Sequence, residues 1–120
     1  MNIEQRDHLL TLIDNDTHLR LRYVSVSHGI PQYCIIGCML AASGVDVIAE
    51  FINQKFDWGK EKLVKNTISI DQLNHIDQLS EYFGLTPYQI RQLQKTNDKH
   101  SLRKKRQHEL KKYVQEIGIG

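Results

Sequence analysis

The chain has 120 residues with 40% hydrophobic and 25% charged side chains, close to globular averages, which excludes a disordered tail protein or a fibre and leaves room for one core in a single domain, residues 1–120. The net charge is +2, yet residues 1–50 sum to −3, residues 51–98 to zero and residues 99–120 to +5. A basic end on a balanced domain suits contact with nucleic acid or an acidic protein surface, and equally suits a solvated helix face.

Asn2 and Gln5 form a capping-box pattern ahead of Ile3, Leu9, Leu10, Leu12 and Ile13, predicting a helix over Ile3–Asp14. The cluster Asp14, Asn15, Asp16 and Thr17 ends it, the two acids reading as caps. Residues 19–23 (Leu-Arg-Leu-Arg-Tyr) alternate like a half-buried strand, whose best partner is the extended-favouring stretch Lys62–Ile68; together they would form one small ribbon. Pro31 is suited to the opening of a second helix, Gln32–Ser43. That helix is apolar on nearly every side (Tyr33, Ile35, Ile36, Met39, Leu40), which marks it as the central buried element, closed by Gly44.

A third helix is expected over Asp46–Phe56, with Val47, Ile48, Phe51, Ile52 and Phe56 inward and Asp57-Trp58-Gly59 as its stop. Ser69 and Gln72 would cap a fourth, Ile70–Phe83, burying Leu73, Ile76, Leu79 and Phe83. Gly84-Leu85 then stops the chain, and Thr86, Pro87 and Gln89 restart it with a cap, a first-turn proline and a capping-box glutamine. The helix from Pro87 to about Thr96 turns Ile90 and Leu93 inward and Tyr88, Arg91, Gln92 and Lys95 outward. Asn97-Asp98 reads as a cap before the last helix. That helix, about residues 101–117, would bury Leu102, Leu110, Tyr113, Val114 and Ile117 and expose Arg103, Lys104, Lys105, Lys111 and Lys112.

The fold expected is therefore mainly α: a compact multi-helix domain with one small two-stranded ribbon and, over residues 70–98, a helix-turn-helix-like corner. In such a corner the glycine takes the sharp turn, and Leu79, Phe83, Leu85, Ile90 and Leu93 lock the two helices. Used on DNA, the second helix would enter the major groove, where Arg91, Gln92 and Lys95 can read base edges or phosphates while the basic last helix holds the backbone. Any tight corner with a capped second helix carries the same pattern, and a likeness of fold does not establish DNA binding.

Tyr-Cys-Ile-Ile-Gly-Cys-Met-Leu at 33–40, Trp58, Tyr-Phe-Gly-Leu-Thr at 82–86 and Leu-Gln-Lys-Thr-Asn-Asp at 93–98 stand in an order that resembles a family of small uncharacterised phage and prophage proteins. Its members carry an aromatic residue before Cys-x-x-Gly in an apolar helix, a later tryptophan, a Gly-Leu turn and a closing Leu-x-x-x-Asn-Asp. The resemblance spans residues 23 to about 117. It departs at Tyr82-Phe83, where an aromatic-small pair is usual, and in the lysines after Asp98. The resemblance implies a phage-type accessory protein that binds a host macromolecule, whether a host protein, a defence component, a polymerase or DNA. It implies no settled activity.

Catalytic and metal chemistry finds little support. Cys34 near a helix N-terminus with His28 six residues upstream is a conceivable nucleophile and base, but so apolar a helix favours a small buried thiol, with Gly37 allowing close packing. The six histidines are scattered with no H-x-x-x-H, the two cysteines form no Cys-x-x-Cys, and the seven glycines make no phosphate loop. No enzyme, metal or cofactor is expected. Two cysteines four residues apart on one helix cannot bridge without strain, which predicts free thiols in a reducing, cytoplasmic setting. Met1–Thr17 does not look like a secretory signal, and no apolar run approaches the roughly 20 residues of a membrane span. A homodimer, with Val45–Phe56 as a contact, stays open.

Overall fold

The computed structural model describes residues 1–51, 56–57, 62–63 and 75–118. It is mainly α, with two short antiparallel ribbons. In chain order the elements are α1 (Ile3–Asn15), β1 (Val24–Ser27), β2 (Ile30–Tyr33), α2 (Ile35–Ala42), α3 (Val47–Phe51), β3 (Phe56–Asp57), β4 (Lys62–Leu63), α4 (Ile76–Phe83), α5 (Pro87–Lys99) and α6 (Arg103–Ile117).

The α1 capping box forms as expected: the Gln5 amide donates to Asn2 Oδ1 at 2.8 Å and the Asn2 amide to Gln5 Oε1 at 2.8 Å. The strand, however, is not at 19–23. Leu21 has φ +67, which an extended strand of L-residues cannot accommodate, so its alternation is broken and the chain becomes extended only from Val24. Its partner is not 62–68 either. β1 pairs with β2 through a two-residue turn at His28-Gly29, both with positive φ, as a tight hairpin requires. Lys62–Leu63 pairs instead with Phe56–Asp57, and the rest of the expected partner lies outside the described residues.

Pro31 therefore sits inside β2 rather than opening a helix. Opposite Val26, one step from the closing pair Ser27↔Ile30, its nitrogen faces away from β1, so the missing N–H costs the ladder nothing. α2 begins only at Ile35, with Cys34 as its N-cap and the thiol accepting from the Gly37 amide at 3.4 Å. Gly37 is required by space: a Cβ there would lie 2.0 Å from the Tyr23 carbonyl oxygen. α2 is the central helix, burying every residue from Ile35 to Leu40.

Around it pack Leu9 and Ile13 of α1, Leu79 and Phe83 of α4, Ile90 and Leu93 of α5, and Leu110 and Val114 of α6. Tyr23 and Phe51 meet edge-to-face at 4.8 Å on another side. α3 is shorter than expected, capped by Asp46 Oδ1 accepting from the Ala49 amide; Val47 and Phe51 are buried, Ile48 is exposed, and Phe56 belongs to β3. Ile52, Trp58, Gly59 and the first half of the expected fourth helix, with Ser69, Gln72 and Leu73, lie outside the described residues. Among the described residues no helix is long and apolar enough to cross a membrane.

Candidate macromolecule-binding face

The corner that sets this face is built as the sequence predicts. Gly84 ends α4 with φ +66, and a Cβ there would come within 2.9 Å of Met1 Cα and 2.6 Å of Gln5 Oε1. Thr86 and Gln89 then close the capping box of α5, at 3.1 Å from the Gln89 amide to Thr86 Oγ1 and 2.9 Å from the Thr86 amide to Gln89 Oε1. Ile90 and Leu93 turn inward. Tyr88 is 61% exposed and Lys95 is exposed, whereas Arg91 and Gln92, expected outward, are half-buried.

α5 does not end at Thr96. Asn97 and Asp98 are not caps of the last helix but helical residues that tie α5 to the start of α2 and to the 19–21 segment. Asn97 is wholly buried; its Oδ1 accepts from the Ile35 amide at 3.1 Å and its Nδ2 donates to the Leu19 carbonyl at 3.0 Å. Asp98 Oδ1 accepts from the Leu21 amide at 2.9 Å. The extra turn adds exposed Lys99 to the face, a residue the shorter predicted helix left out.

α6 begins at Arg103, and Leu102, expected in the core, is 72% exposed as its N-cap. The inward position is taken by Arg106, one turn before Leu110 on the same stripe, a periodicity that points inward despite the charge. Arg106 is buried at 3% exposure and forms no ion pair among the described residues. Its Nε donates to the carbonyls of Asn97 and His100, Nη1 to that of Thr17 at 2.7 Å and Nη2 to that of Ser101. Burial lowers its pKa from the usual guanidinium value. The four carbonyls include orphan acceptors at the C-terminal end of α5, so one guanidinium serves as that helix's cap.

The expected basic residues divide into two groups. Arg103 Nη2 donates to the Asn15 carbonyl and Lys111 Nζ lies 2.8 Å from Asp14 Oδ1, so both turn toward α1. Lys104, Lys105 and Lys112 are exposed, with Lys95 and Lys99 on the neighbouring helix, and none of the five forms an ion pair among the described residues. The first turn of α6 holds no acid and no side-chain cap. It puts Arg103, Lys104 and Lys105 at the positive end of the helix dipole, an arrangement that costs about 0.3–1 kcal/mol per exposed charge at low salt. Across residues 87–117 nine Lys and Arg stand against three Asp and Glu.

Between α5 and α6 runs a notch of about 170 Å³ lined by Thr96, Glu109, Lys112, Tyr113 and Glu116. Burial, then the neighbouring Tyr88 and Glu116, raise the Tyr113 phenol above its usual value.

No family model, curated protein or solved structure matches the chain.

The residues weighed for nucleophilic chemistry are not brought together. Cys34 is buried at 3% exposure at the N-cap of α2, while His28 is exposed at the hairpin turn, on the order of 15 Å away along the strand. Cys38 is buried too, and burial pushes its thiol well above the usual range, away from the reactive thiolate. Among the described residues no group of three or more His, Cys, Asp or Glu is placed to hold a metal ion.

Proposed function

We propose that the chain is a non-enzymatic accessory protein of phage type that binds a host macromolecule through the α5–α6 face, and that nucleic acid is the partner this face suits best. The supporting observation is the uncapped, basic first turn of α6 continued by the exposed lysines 95, 99, 105 and 112, none of which forms an ion pair among the described residues. A helix that sets cations against its own dipole gives up stability locally, and such departures from local preference are expected where a surface serves binding. Phosphate oxygens at those positions would neutralise the lysines and accept from the free α6 amides. With Arg91 and Gln92 half-buried, contact falls on the backbone more than on base edges, so sequence preference is expected to be weak.

The test is fluorescence anisotropy of the full chain with mixed-sequence DNA, single- and double-stranded, across a salt series. Five phosphate contacts predict a log–log slope of about −4 on duplex, and Lys95→Glu with Lys112→Glu should reduce it by about 2. No binding at low salt would reject nucleic acid as partner. An acidic host protein is the second reading, favoured by Leu102, an exposed apolar anchor in the middle of the cations; it predicts Leu102→Ala to weaken a stoichiometric protein complex.

A further inference from the structure

Two glutamates flank Lys112 on the cationic helix α6. Glu109 and Glu116 line the α5–α6 notch, and neither makes an ion pair or hydrogen bond among the described residues, although Lys112 lies within helical reach of both. On a surface that contacted only phosphates they would be repulsive. Carboxylates accept hydrogen bonds, and the donors a DNA strand offers are on its bases: the exocyclic amines of adenine, cytosine and guanine and the ring N–H groups of guanine and thymine; RNA adds its 2′-hydroxyls. In a duplex the Watson–Crick edges are occupied; in a single strand they are free and the bases can be splayed out.

The size and the remaining lining agree with one base. A volume of about 170 Å³ is below the roughly 300 Å³ at which pockets for drug-sized ligands begin, so the notch takes a ring system and leaves sugar and phosphate outside. Thr96 and Tyr113 add hydroxyls, and Tyr113, half-buried, adds an aromatic ring to the wall of the notch. Aromatic faces beside a lysine track are how sequence-tolerant proteins hold single strands.

We propose that the notch between α5 and α6 receives one unpaired nucleobase of a single-stranded nucleic acid, stacked against Tyr113 and hydrogen-bonded to Glu109 and Glu116, with Lys112 and the lysines near the α5–α6 loop holding the flanking phosphates. This rests on the nucleic-acid assignment of the same face.

The experiment compares a fluorescein-labelled, non-self-complementary single strand with the same sequence annealed, using the full chain. The single strand should bind about tenfold tighter, and Tyr113→Leu, which keeps apolar bulk but no ring, should remove about tenfold from it while leaving the duplex unchanged. Glu109→Leu with Glu116→Leu decides between base and phosphate contact. Removing two negative charges strengthens any surface that contacts phosphate alone, whereas a base notch loses both carboxylate acceptors and binds single strands several-fold more weakly. Tighter single-strand binding by the double variant, or equal binding of strand and duplex by the parent, overturns the proposal. Failure of Lys95→Glu and Lys112→Glu to weaken either form would instead remove the nucleic-acid assignment itself. Both glutamate changes lie on the partly exposed flank of α6, and unchanged circular dichroism verifies that the variant is folded.

Discussion

Asn97 caps a helix 62 residues away: its Oδ1 receives the Ile35 amide at 3.1 Å, at the first turn of the central helix α2. Its Nδ2 holds the Leu19 carbonyl in the same stroke, so one buried amide joins α5, α2 and the 19–21 segment. Asn97→Ala leaves a buried donor and acceptor without partners, each worth about 1–3 kcal/mol. Urea denaturation should show a loss of about 2–4 kcal/mol with the slope m unchanged; a change under 1 kcal/mol would mean that water replaces the side chain.

Arg106 acts at the other end of the same loop. Because its four acceptors are carbonyls, removing the guanidinium strands polar groups rather than a partner charge. Arg106→Ala is expected to cost about 3 kcal/mol or more. Arg106→Lys, which keeps the charge but lacks the planar fork, should recover less than half of that. Full recovery by lysine would show that charge, not geometry, matters there.

The glycines give a graded pair. Gly37→Ala places a methyl against the Tyr23 backbone carbonyl, which cannot move without opening the hairpin, so the variant should lose about 3 kcal/mol or more or fail to fold. Gly44→Ala meets open space and only a positive φ of +101, and should lose about 1–2 kcal/mol. Equal losses at the two sites would contradict the close approach of α2 to Tyr23.

Stability should fall in alkali. Burial raises the folded-state values of the Cys38 thiol and the Tyr23 phenol above the ordinary 9.0 and 10.0. The unfolded chain therefore loses these protons first, and each group withdraws about 1.4 kcal/mol per pH unit once pH passes its unfolded value. Thermal melts from pH 7 to 10.5 should stay level to about 8.5 and then decline, and Cys38→Ala should delay the decline. A flat profile in the parent would show that the thiol and phenol titrate normally in the fold.

How far these features were legible follows their range along the chain. Asn2 with Gln5, Thr86 with Gln89 and the Gly84 stop were readable because cap and partner lie three residues apart, and the apolar run at 35–40 marked the central helix by composition alone. Residues 19–23 alternate as a strand does, but Leu21 has a positive φ and its amide is held by Asp98, 77 residues downstream, a partner that local alternation does not reveal. Asn97-Asp98 looked like a cap because those residue types cap, and only the folded chain places Ile35 and Leu21 beside them. Hydropathy points to Leu102 as core and away from Arg106, whereas helical position marks 106, 110 and 114 as the inward stripe. Lys95, Lys104, Lys105 and Lys112 follow from charge and helical position, whereas Lys99, which needs the extra turn of α5, and the separation of Arg103 and Lys111, which turn to α1, do not.

The most direct measurement is paired: stability by urea and affinity for single-stranded DNA at low salt, for the parent and for Lys104→Glu with Lys105→Glu. Acids at the start of α6 complement its dipole, so the variant should be more stable by about 0.5–2 kcal/mol while its affinity falls about tenfold or more and its salt slope flattens by about 1–2. Stability gained and binding lost together is the result expected of a turn kept basic for an anionic partner. A variant that gains stability and binds as well as the parent would contradict it, leaving those lysines as solvated surface.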